Sequence, residues 1–242
     1  MNKQIGEIKA IFRYPVKSMA GVQLDSAALG WHGLNGDRRY AFRRLADHGG
    51  FPWLSASRLP QLILYKPIGQ AELDKDLPTH VRTPDGAELE LQSEQLRNEI
   101  SARLGSPVEL MQLKHGAFDE GTVSLINVTT IREIERETDR PLDILRFRPN
   151  IVIDSDGVEP FAEDNWLGKT LHFEDDDGGP AVNVTMRDLR CVMINLDPQT
   201  AEADSNVMKV ALRLNANYAG VYATVIRTGD LRIGQKIYLR RE

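Results

Sequence analysis

The sequence predicts a mixed but mainly β chain: a barrel-like β core carrying a few helices, with a β-rich N-terminal part packed against it. Three observations over its 242 residues lead there. Short apolar runs bounded by Gly, Pro, Asn and Asp recur along most of the length. Only two stretches read clearly as helices. No repeat, linker or low-complexity segment interrupts the pattern, so the strands must share cores, and many short strands do that by closing on themselves.

Taken in order, Gly6 to Tyr14 alternates, which places Ile8, Ala10 and Phe12 on one face. Tyr40 to Arg44 and Leu62 to Tyr65 are further short strands, with Gly33, Gly36, Gly49 and Gly50 marking turns between them. His80 to Leu91 reads as a hairpin around Pro84-Asp85-Gly86, where Pro presets φ and Gly tolerates a positive one. Ser93 caps a helix that puts Leu96, Ile100 and Leu104 on one face, and Gly105 ends it. Thr130 and Glu133 fit a capping box ahead of Ile134. Strands resume at Asn150 to Ile153, Leu171 to Phe173 and Val182 to Met186. Asp175 to Pro180 reads as an exposed acidic turn without calcium-site spacing. Val207 to Leu214 fits helix and strand equally well. Tyr222 to Arg227, a Gly229-Asp230 turn and Arg232 to Arg240 make a closing pair of strands.

Composition narrows the function. Hydrophobic residues make up 41% and charged residues 27%, as in a globular chain. The formal net charge of -5 argues against a general nucleic-acid binder. No targeting signal or bilayer-length apolar run is visible, so a cytoplasmic protein without membrane contact is expected. A lone cysteine excludes an internal disulfide and a cysteine-built structural zinc site. No Walker loop, dinucleotide fingerprint, zincin helix or nucleophile elbow is present. The five histidines, at 32, 48, 80, 115 and 172, show no metal-ligand spacing.

Four clusters remain. Tyr14-Pro15-Val16-Lys17-Ser18 puts a cation and a hydroxyl directly after a strand, a pairing that suits phosphate but also an ordinary turn. Gly36-Asp37-Arg38-Arg39-Tyr40 sets an arginine beside an aspartate as a strand begins, either as a buried oriented pair or as an exposed one. In Phe147-Arg148-Pro149-Asn150-Ile151, Pro149 favours an extended Arg148. Arg148 and Asn150 would then point to one side and could hold a planar, acceptor-rich heterocycle. In Asp188-Leu189-Arg190-Cys191, the adjacent guanidinium favours the thiolate that binds metals or attacks; the alternative is a small buried hydrophobe.

Together these clusters resemble the MOSC family, and within it the two-part branch with a β-barrel-like N-terminal domain that includes the mitochondrial amidoxime-reducing component and bacterial relatives. The stretches that carry the resemblance are YPVKSM, GDRRYAF, FRPNIVI with FAEDNW, DLRC followed by Asp197-Pro198, and DLRIGQKIYL. They stand in family order across nearly the whole chain.

The resemblance implies a molybdenum cofactor, with Cys191 as both metal ligand and catalytic residue. It implies cofactor contacts from Lys17, Ser18, Arg38, Thr122, Arg148, Asn150, Arg190 and Tyr222. Residues 1–92 would be the N-terminal domain and 93–242 the MOSC domain. The implied activity is a molybdenum-dependent oxidoreductase that reduces small N-hydroxylated compounds of amidoxime or hydroxylamine type. One cysteine cannot hold a four-cysteine cluster, so electrons would come from a separate ferredoxin- or cytochrome-type protein with its reductase. The family also carries an association with pyridoxal phosphate binding. Leu189 departs from the small residue that usually precedes the Arg-Cys pair. The alternatives are a sulfur carrier or sulfurtransferase using a Cys191 persulfide, and a non-catalytic molybdenum-cofactor carrier.

Overall fold

The computed structural model describes residues 3–72, 74–155, 157–175 and 178–239. Strand β1 (Lys3–Arg13) runs through the expected N-terminal stretch, but its register shifts between Ile8 and Ala10 against its partner. The extra residue of a bulge exchanges the two faces of the pleat. Ile8 and Ile11 therefore enter one core while Ala10 and Phe12 enter another. The single face expected for Ile8, Ala10 and Phe12 does not exist.

Short strands follow: β2 (Val22–Leu24), β3 (Ser26–Gly30), β4 (Gly33–Leu34) and β5 (Tyr40–Arg44). The strand expected at Leu62 to Tyr65 is a 3-10 turn over Pro60–Leu64. Pro60, at its start, fixes a helical φ and forfeits only an N–H with no partner inside the helix, and Leu62 and Ile63 are buried. β6 (Lys66–Ile68), β7 (His80–Arg82) and β8 (Glu88–Glu90) make a three-stranded meander, and its second hairpin turns at Gly86. Helix α1 (Glu94–Leu104) starts where Ser93 Oγ accepts from Leu96 N–H and stops at left-handed Gly105. β9 (Val108–Gln112) returns antiparallel to β5.

The rest of the chain supplies β10 (Val123–Asn127), α2 (Val128–Thr138), β11 (Ile151–Asp154), β12 (Thr170–His172) and β13 (Ala181–Leu189). After these come α3 (Ser205–Asn215), β14 (Tyr218–Arg227), β15 (Gly229–Arg232) and β16 (Lys236–Leu239). Helix α2 begins earlier than the Thr130–Glu133 pattern predicts. Asn127 caps it, and Thr130 Oγ1 instead donates to buried Glu163. The ambiguous stretch around Val207 to Leu214 is helical, capped by Asp204, and buries Val207, Val210 and Ala211. Gly229-Asp230 is not a turn: these residues open β15, which leaves to pair with β3. His172 is buried within β12. Asp176 and Asp177 of the acidic turn, and Arg240, lie outside the described residues.

Seven strands close in the order β11-β10-β14-β13-β12-β16-β1, and β1 pairs back onto β11. β2 extends β1 on its outer side. Only β10 and β11 run parallel in this ring, and α2 is the crossover between them. Ile8, Leu125, Ile153, Phe173, Val182 and Val221 belong to the barrel core. Helices α2 and α3 cover a second apolar cluster built on Phe12, Tyr14 and Phe147. The chain is mainly β with a closed barrel, as expected, and has three α-helices among the described residues. None of those helices is long and apolar enough to cross a membrane.

Candidate functional site

Just beyond β1 the chain turns sharply, with Ser18 left-handed at φ 65. Backbone bonds fix this turn, since Lys17 N–H donates to Tyr40 C=O at 2.7 Å. The turn draws Lys17 and Ser18 inward until both are only 4% exposed. Lys17 Nζ donates to Ala117 C=O and to Asp119 Oδ1 at 2.7 Å. Burial lowers its pKa, and the Asp119 carboxylate opposes that shift.

Arg38 enters β5 beside Asp37, and the pair is buried rather than surface-exposed: the Asp37 side chain is fully covered. Asp37 Oδ1 accepts from Tyr14 N–H at 2.7 Å, and Oδ2 accepts from Asn150 Nδ2 at 3.1 Å and from Arg38 Nη1. One carboxylate thus fixes Arg38, the end of β1 and the start of β11.

Arg148 ends a short 3-10 turn over Ile144–Phe147 in a left-handed conformation, φ 48 and ψ 44. This corrects the extended geometry expected ahead of Pro149. The turn's capping bond, Arg148 N–H to Leu145 C=O at 3.1 Å, outweighs the steric preference set by the proline. Its guanidinium lies 4.2 Å from the centre of the Tyr14 ring, and Nη1 donates to Met19 C=O at 2.9 Å. Nη2 is out of reach of solvent and has no partner. Burial pushes Arg148 down to about 10, which leaves it charged at neutral pH.

β13 delivers Asp188 and, just past its end, Arg190 and Cys191. Arg190 is committed to structure. Nε and Nη2 donate to Ala219 C=O, Nη1 donates to Phe147 C=O at 2.6 Å, and Nη2 pairs with Asp188 at 2.9 Å. The Arg190 charge next to Cys191 is thus paired with a neighbouring carboxylate. Cys191 itself is exposed, which removes the reading of a small buried hydrophobe. Burial pushes Asp188 up to about 6, against the pull of Arg190 and Ser124. Tyr222, on β14 beside Met186 of β13, is pushed up by burial and then by Asp188.

Lys17, Ser18, Arg38, Arg148, Arg190, Cys191 and Tyr222 line one cavity of about 200 Å³. Two expected residues lie outside its lining. Thr122 Oγ1 donates to Ala223 C=O within the barrel wall. The Asn150 amide is used up by Asp37, Phe12 C=O and Ser124 N–H, so it braces the site from behind and does not act beside Arg148. The lining also contains Asp119, Asp188, Phe147 and Met193. Asp188 stood in the DLRC stretch, where its burial had no local signal; Asp119 sits in a loop with no motif. No group of three or more His, Cys, Asp or Glu suited to a metal occurs among the described residues. Cys191 is the thiol that the lining offers to a metal.

Comparison with known proteins decides the family. The MOSC domain model matches residues 112–238, and the MOSC N-terminal beta barrel domain model matches residues 5–125. The chain belongs to the MOSC family. Among relatives, the mitochondrial amidoxime-reducing component 1 of Xenopus laevis is 27% identical over 135 residues, covering 50% of this chain and 36% of that protein. The molybdenum cofactor sulfurase of Oryza sativa subsp. japonica is 25% identical over 246 residues, covering 81% of this chain and 29% of that protein. This MOSC chain spans about a third of the length of both relatives. The YuaD protein of Bacillus subtilis shares the fold with a TM-score of 0.52 at 15% identity, over 99% of this chain and 98% of that one.

Proposed function

We propose that this MOSC protein binds a molybdenum cofactor through Cys191 and reduces small N-hydroxylated compounds with electrons from a separate protein of ferredoxin or cytochrome type. The observation that carries the reading is convergence. Residues from positions 17 to 222 meet around one exposed thiol.

The donor set fits the group. A pterin cofactor with a phosphate needs hydrogen-bond donors and uncompensated positive charge. Four of the five cations around the cavity already face carboxylates: Lys17 with Asp119, Arg38 with Asp37, Arg146 with Asp197, and Arg190 with Asp188. Arg148 forms no such ion pair among the described residues and keeps a buried Nη2 without a partner. An unpaired buried donor of this kind is costly unless a ligand satisfies it. The Ser18 and Tyr222 hydroxyls add polar contacts in the same lining. A single soft thiolate suits a metal that brings its remaining ligands with it.

When bound, the cofactor would supply the redox chemistry that removes oxygen from an N–O bond. The protein's part is ligation by Cys191, charge pairing by Arg148, and orientation through Lys17, Ser18, Arg38 and Tyr222. Asp188 adds an acid at the wall that changes state near pH 6. A second reading is sulfur transfer through a Cys191 persulfide, which the exposure of the thiol favours. The two separate in one experiment. Cofactor-loaded protein with a reduced artificial donor should turn over benzamidoxime, and a Cys191→Ala variant should not. A protein that instead traps cyanolysable sulfur on Cys191, with no turnover, would be a sulfur carrier.

A further inference from the structure

A second chamber of about 330 Å³ backs onto the Cys191 cavity, and Arg146, Arg148 and Met193 line both. Its size lies within the usual range for small-molecule sites. Pro67, Ile68 and Leu196 give it apolar walls. Tyr14, also in the lining, is fully buried, with Gly21 packed on its ring where a side-chain carbon would sit 2.5 Å away.

Two buried donors in the lining lack acceptors. Arg146 Nε and Arg148 Nη2 are both shut off from solvent without a partner. Lys66, at the start of β6, is exposed and makes no ion pair or side-chain hydrogen bond among the described residues. Arg146 already serves Asp197 and Asn195 C=O. Arg146 and Arg148 are shared with the Cys191 cavity, so Lys66 is the cation that lines this chamber alone.

The geometry points to a second small-molecule site, one that takes an apolar monoanion: its apolar body lies against Pro67, Ile68 and Leu196, and its carboxylate pairs with Lys66. Apolar burial holds the body, and the ion pair sets its direction. No metal enters this inference, so it stands or falls apart from the cofactor reading.

Isothermal titration of the full chain with 2-naphthoate tests it, with 2-naphthalenemethanol as the neutral match. Wild type should bind the acid at one site per chain, about fivefold more tightly than the alcohol, the most an exposed ion pair gives. Lys66→Gln should erase that preference while leaving the alcohol unchanged. Val22→Trp should fill the chamber and abolish binding of both, and Ile68→Trp, from another wall, guards against a folding defect in the first variant. Cys191→Ala should bind as wild type does. The inference is overturned if wild type shows no saturable binding, if neither tryptophan variant weakens it, if the acid keeps its advantage in Lys66→Gln, or if Cys191→Ala loses binding.

Discussion

Replacing Asp37 with alanine removes the carboxylate that three chain segments share. Tyr14 N–H and Asn150 Nδ2 lose their acceptor, and Arg38 loses its ion pair, all away from bulk water. Each buried donor left unsatisfied costs about 1–3 kcal/mol, and breaking a buried pair by deleting one partner costs about 3–5 kcal/mol. These figures overlap, because the same desolvation enters both, so the expected loss is about 4 kcal/mol. In a chain of this size that lowers the melting temperature by roughly 8–16 °C. Asp37→Asn should be nearly as damaging: one oxygen still serves Tyr14, but the new amide N–H groups face Asn150 Nδ2 and Arg38. Urea unfolding followed by fluorescence, with calorimetry for the melting shift, measures the loss. If Asp37→Ala loses less than about 1 kcal/mol, the shared-carboxylate account of how Arg38 and β11 are held is wrong.

Three further outcomes follow from the same geometry. Arg148→Lys keeps the charge but loses the flat contact with Tyr14 and the fixed bond to Met19 C=O, so cofactor retention on gel filtration should fall about tenfold with the circular dichroism spectrum unchanged; retention equal to wild type would contradict it. Asp188 rises from 3.8 to about 6 in the fold, so the native state holds a proton that the unfolded chain releases between these values. Its contribution makes unfolding free energy fall as pH rises from about 4 to about 6, by up to about 3 kcal/mol, and the wild-type minus Asp188→Asn stability difference should show that slope; a flat difference would refute it. Gly220 has φ 86, and a side-chain carbon there would meet Leu125 C=O at 2.6 Å, so Gly220→Ala should cost about 2 kcal/mol or more in urea unfolding. A neutral Gly220→Ala would mean that β14 can shift away from β10.

Much of the architecture was legible because it rests on local chemistry. Ser93 and Gly105 bound α1, and Pro84-Asp85-Gly86 closes its hairpin, each through a preference a few residues wide. The failures came where distant partners decide. The β1 bulge moves Ala10 away from Ile8, yet nothing in that stretch announces an extra residue. Thr130 looks like a cap but is claimed by Glu163 across the fold. Gly229-Asp230 looks like a turn but finds β3 as a strand partner, 200 residues away in sequence. The site divides in the same way. Lys17, Arg38, Arg148 and Cys191 stood out as residue types in short motifs, whereas the roles of Asn150 and Arg190 as braces depend on what they reach. Spacing alone cannot tell a cation facing a ligand from one spent on a backbone carbonyl.

Molybdenum content tests the central claim most directly. Protein from a host that makes the cofactor, purified without reductant exchange and measured by mass spectrometry for metal and by oxidised-pterin fluorescence, should carry about one molybdenum and one pterin per chain, the ratio set by a single ligating thiol. Cys191→Ala should lose the metal while keeping its melting temperature. Wild-type protein free of both metal and pterin, or a Cys191→Ala variant that keeps its molybdenum, would contradict the account.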